Sequence, residues 1–100
     1  MTTFEQARRI VHAQFAKAFA AEGITHTVAS YGAEDAAAWR VIHGSVHDVA
    51  QDAQQMIGGV TGDMATLVLK ESGEVVLLPI IAPENWERLA GMTRFGTWPP

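Results

Sequence analysis

The sequence predicts one α+β domain over residues 1–100: an antiparallel four-stranded sheet with helices packed on one face, in the order α-β-β-α-β-β-α. Three observations lead there. The first twenty residues carry apolar side chains at helical spacing, two pairs of β-rich segments are each joined by a turn of hairpin length, and no βαβ alternation requires a parallel sheet. A hundred residues with 48% hydrophobic content suit one core, because two would each sit near the lower limit for independent folding.

Phe4, Ala7, Val11, Phe15, Ala18 and Phe19 recur every three or four residues and form one stripe of an amphipathic helix. Thr2 with Glu5, or Thr3 with Gln6, has capping-box spacing, and Gly23 after Glu22 is a left-handed stop, so the first helix runs from about Phe4 to Glu22. Ile24 to Tyr31 alternates β-branched and polar residues as a strand does. Gly32-Ala33-Glu34-Asp35 supplies turn chemistry, and Ala37 to Gly44, around Trp39, Val41 and Ile42, reads as the antiparallel partner. The alanines at 36–38 prefer helix, which blurs where that strand begins.

Ser45 followed by Asp48 opens a second helix, Val46 to Ile57, which Gly58-Gly59 ends. Its outer face carries His47, Asp48, Gln51, Asp52, Gln54 and Gln55. Val60 to Asp63 is a loop. Met64 to Lys70 and Gly73 to Ile81 are dense in Leu, Val and Ile, and the Glu71-Ser72-Gly73-Glu74 turn between them makes this the clearest hairpin of the chain. Pro83 at a first-turn position, Trp86, Leu89 and a stop at Gly91 describe a short third helix, and Met92 to Pro100 reads as an irregular tail with Phe95 and Trp98 as docking anchors.

Seven Lys and Arg against eleven Asp and Glu give a net charge of −4. A nucleic-acid binder needing a basic stripe is therefore disfavoured. The absence of cysteine removes disulfides, thiol catalysis and cysteine-based metal sites, and fits a cytoplasmic protein. The longest apolar run, Val75 to Ala82, is far short of the roughly 20 residues of a membrane helix, and no signal-peptide core precedes Glu5, Arg8 and Arg9.

His43 and His47 stand four apart with Asp48 and Asp52 nearby, but Gly44 and the cap Ser45 put a strand-to-helix junction between them, and the HExxH glutamate is missing. No metal is expected. His12, off the main stripe, and His26, in a strand, read as solvated or structural. The glycine-rich Gly58–Asp63 segment lacks the lysine and following helix of a phosphate loop. Ser30, Ser45 and Ser72 have plain strand, cap and turn roles, and the carboxylate pairs Glu34/Asp35 and Glu71/Glu74 fall in turns. No catalytic residue and no cofactor is expected, and a small enzyme is the least favoured class.

A binding surface is expected where acidic side chains gather: Asp48, Asp52 and Gln55 on the second helix, with Asp63, Glu71 and Glu74. Such a face would speed encounter with a basic protein. The Val75-Val76-Leu77-Leu78 run with Ile80 and Ile81 leaves no polar face, so it is either a strand buried on both sides or one completed by another chain, a second copy included. Trp39 offers the same choice between core and binding anchor.

Trp39-Arg40-Val41, then Gly58-Gly59, then Thr66 to Val75 resemble the small bacterial YrhB-like immunity proteins, which have an Ala-rich first helix, a Trp-led strand and a late apolar hairpin with a charged, glycine-containing turn. The resemblance spans most of residues 4–80, with generic motifs, and the helix Val46–Ile57 departs from it. It implies a cytoplasmic protein that neutralises a cognate toxin by binding and without catalysis, and it transfers no contact residue. Secretion-chaperone-like folds are a second analogy, resting on element order alone. The expectation is thus a protein-binding module, immunity-like, with a secretion-chaperone-like or dimeric accessory protein as the alternative.

Overall fold

The computed structural model describes residues 1–47, 49–50 and 64–98. Helix α1 (Phe4–Ala21) begins with a reciprocal cap: the Gln6 amide donates to the Thr3 hydroxyl, and the Thr3 amide donates to the Gln6 side chain. Its stripe buries Ala7 and Val11 completely, with Phe4, Ile10 and Phe15 packed around them. The chain leaves the helix through Gly23 at φ 75, a conformation open to glycine without cost.

Five strands follow: β1 (Thr27–Glu34), β2 (Ala38–Gly44), β3 (Met64–Leu69), β4 (Val75–Pro79) and β5 (Thr93–Phe95), with helix α2 (Pro83–Ala90) between the last two. They form one antiparallel sheet in the order β4-β3-β2-β1-β5. The four-stranded expectation is therefore corrected. Thr93–Phe95 pairs with Gly32–Glu34, and three residues are too few to show alternation in sequence. Phe95 holds the strand in place, its ring meeting Phe4 edge-on at 4.6 Å and Trp39 at 5.8 Å.

Helices on one face is also corrected, because the central strands are apolar on both sides. Val41 and Val68, with Trp39, meet α1, whereas Ala33, Ala38 and Leu67 form a second cluster on the opposite face, joined there by Leu89 of α2, Met92 and Trp98. Of the expected second helix, Val46, His47, Val49 and Ala50 have helical backbone, and the rest lies outside the described residues.

The first hairpin turns later than the sequence suggests. Asp35 Oδ1 accepts from the Ala37 and Ala38 amides, so the turn sits at 35–37 and Gly32 and Ala33 remain inside β1. Gly32 is needed there for space: a Cβ would stand 2.6 Å from the Arg40 carbonyl oxygen and 2.9 Å from the Phe4 ring. Gly32→Ala should cost about 1–3 kcal/mol through overpacking, read as a lower urea midpoint with an unchanged slope.

The hairpin of β3 and β4 forms as expected, but its strands are not equally protected. Ala65, Thr66, Leu67 and Val68 are buried in β3, whereas β4 is an edge strand whose Leu77 is 40% exposed. Of the two readings the sequence leaves open for Val75 to Ile81, burial on both sides does not hold for β4, which ends the sheet. Among the described residues, no helix is long and apolar enough to cross a membrane.

Candidate functional site

Three histidines distant in sequence meet under α1. His12 comes from the helix, His26 from the segment before β1, and His43 from β2, where the parity that turns Trp39 and Val41 toward α1 turns His43 the same way. His12 Nδ1 lies 2.9 Å from His26 Nδ1, His26 Nε2 lies 3.0 Å from His43 Nδ1, and His43 Nε2 lies 2.7 Å from Thr66 Oγ1. The result is a continuous relay from exposed His12 to Thr66 in the centre of the sheet.

Its donor inventory limits what it can hold. With all three rings neutral, N–H groups can point inward, His12 donating to His26, His26 to His43 and His43 to Thr66, or every one of these bonds can be reversed. Both arrangements satisfy all three links. One extra proton on any ring also leaves every link made, since the charged ring donates on both sides and its neighbours donate away from it. A second proton sets two N–H groups against each other, wherever it is placed. The relay is therefore a one-proton unit.

Burial reinforces that limit. The Phe15 ring lies 4.7 Å from His43, and the Phe19 ring lies edge-on to His26 at 4.8 Å. Desolvation, with the His26 ring as a lesser cause, lowers the His43 pKa to about 4, and burial followed by the His12 ring lowers that of His26.

Above the relay, Glu5, Arg8, Arg9, His12, Ala13, His26 and Val28 line an open groove of about 400 Å³. Arg8 is part of its frame. Its Nε donates to the Ala29 carbonyl at 2.8 Å and its Nη2 to the Val28 carbonyl at 3.0 Å, where the β1–β2 register shifts, while Nη1 bonds Glu5. The Arg8 charge is thereby paired.

The residues singled out in sequence fall elsewhere. Glu71 and Glu74 are exposed in the turn between β3 and β4, while Asp48, Asp52, Gln55 and Asp63 lie outside the described residues. That turn and Met64 occupy opposite ends of β3, roughly 20 Å apart by strand geometry. His47 is exposed, whereas His43 is buried with both ring nitrogens engaged in the relay. Among the described residues, no group of three or more His, Asp or Glu side chains gathers in a way that could hold a metal ion. Trp39 belongs to the core: its indole donates to the Thr2 carbonyl at 2.9 Å and its ring packs on Phe4.

The solvated or structural reading of His12 and His26 missed their convergence. The parity of Trp39, Val41 and His43 was a visible signal for the innermost ring, but nothing in the spacing of His12 and His26 joins a helix to a segment fourteen residues on. Comparison of the chain with models of protein families, with curated proteins and with solved structures found no match.

Proposed function

We propose that this chain is a small protein-binding module, immunity-like in that it acts by docking, and that it docks through the outer edge of β4. One observation carries the reading. β4, Val75-Val76-Leu77-Leu78-Pro79, is an edge strand without a single charge whose Leu77 is 40% exposed, and it is followed in the chain by Ile81, 89% exposed, and Trp86 of α2, 50% exposed. Edge strands are commonly guarded by lysine, bulges or cover, and among the described residues only Pro79 at the end of the strand serves that purpose. An extended segment could add to such an edge by main-chain hydrogen bonds, with apolar side chains supplying the contact area.

The occupant is a partner protein presenting an apolar strand flanked by basic residues. Exposed Glu71 and Glu74 precede the strand, and exposed Glu84 and Glu87 lie on α2 beyond it. Two copies of the chain pairing here would bring acidic rims together, whereas a basic partner would be steered to the same edge.

The test uses the intact chain, a partner recovered from the source cells and then purified, and the variants Leu77→Ala and Leu77→Lys. Leu77→Ala should cost under about 1 kcal/mol of stability, since the site is half-open, while Leu77→Lys should weaken the reconstituted complex tenfold or more. Amide exchange should slow along β4 on binding. Protection confined to another surface, affinity unchanged in Leu77→Lys, or β4 protection arising from self-association alone would overturn the reading.

A further inference from the structure

We infer that the groove over the histidine relay binds a small molecule with an oxyanion head, and that binding draws one proton into the relay. The groove gathers the cationic side chains of Arg8 and Arg9, with His12, around an opening in a chain of net charge −4. Elsewhere Lys70 bonds Glu34 at 2.7 Å, Arg88 bonds Asp35 at 3.0 Å, and Arg94 lies over the Trp98 ring. In the groove Arg8 is matched by Glu5, which among the described residues leaves Arg9 on the adjacent helix position without an ion pair, and His12 is exposed in the same groove.

The relay supplies what a static pair of arginines would not. It has room for one extra proton without breaking a hydrogen bond, so an anion seated against Arg9 and His12 would stabilise the charged form of the relay. The proton enters from solvent at His12 and can reside on His12 or, by shifting along the 2.9 Å link, on His26 beneath the groove. No covalent bond is made or broken.

The charged and titratable groups facing these rings are Glu5, Arg8 and Arg9 from α1 on the groove side; on the sheet side β2 presents His43 and β3 the uncharged Thr66. Phe15 and Phe19 close the remaining approach from α1. Glu5 is the only acid among the described residues lining the groove, and its carboxylate is held by Arg8 Nη1 at 3.0 Å. An entering anion therefore meets a site of net positive charge.

Sulfate is the probe of choice, because it carries the same charge throughout the relevant pH range, and acetate provides a carboxylate arm. Ring-proton NMR of His12 and His26 should show a saturable shift with at least one of them, and the arm that binds more tightly identifies the head. Apparent affinity should rise as pH falls from 8 to 6, approaching tenfold per pH unit where one full proton is taken up. Arg9→Gln should weaken binding about tenfold. The double change His12→Gln with His26→Gln should leave residual binding through Arg9 but remove its pH dependence. Shifts that match those given by chloride at equal ionic strength would overturn the site. Saturable binding with the same affinity at pH 6 and pH 8 would overturn the proton coupling.

Discussion

Leu67→Ala is expected to remove about 2–5 kcal/mol of stability, a large part of what a hundred-residue domain has. Leu67 is 0% exposed at the middle of β3, one strand in from the edge, and it packs with Ala33, Ala38 and Met92. Two of those neighbours are alanines, too short to move into the space, so the cavity stays open and its cost adds to the lost transfer energy. Chemical denaturation at neutral pH gives the value directly. A loss under about 1 kcal/mol would mean that the cluster on the α2 side of the sheet is loosely packed.

The second large effect is acid lability. His43 has a folded pKa of about 4 against 6.5 for the unconstrained ring, so the unfolded chain takes up its proton first as pH falls. The contribution is fully present above pH 6.5 and declines through the window below it, and the loss amounts to about 3 kcal/mol by pH 4. His26, lowered for the same reason, acts in the same direction. Asp35, held below the ordinary carboxylate value by Arg88 and the Ala37 and Ala38 amides against an opposing desolvation, adds acid sensitivity only at lower pH still. His43→Gln retains hydrogen-bonding capacity and has nothing to titrate in this window. Its stability at neutral pH should fall, while the further loss between pH 7 and pH 4.5 should shrink by at least half. An equal loss in the variant and the parent chain would place the acid response elsewhere.

Much of the architecture was legible in the residues. The stripe from Phe4 to Phe19 and the turn at Gly73 rest on local periodicity and backbone chemistry, and helix α1 and the hairpin of β3 and β4 follow them. The failures occur where tertiary pairing outweighs local signals. Gly32 and Ala33 read as a turn, yet Asp35 captures the two amides that define the real one, and the freed residues extend β1 far enough for β5 to pair with it. Apolar density in Val75 to Ile81 left burial on both faces and completion by another chain both open, because density says nothing about which strand ends a sheet, and β4 ends this one. The relay was the least legible feature, because it joins side chains from one helix, one loop and two strands, and only the His43 parity left a local trace.

That relay is the centre of the account, and the nitrogen resonances of the histidine rings test it most directly. Nitrogen shifts report whether each ring nitrogen carries a proton, so a titration from pH 8 downward, stopped before unfolding, counts the protons the linked rings accept. The linked rings should take up a single proton in one shared step, with His43 losing its coupling in His26→Gln. Three independent steps, or two or three protons taken up while the fold is intact, would contradict a one-proton relay.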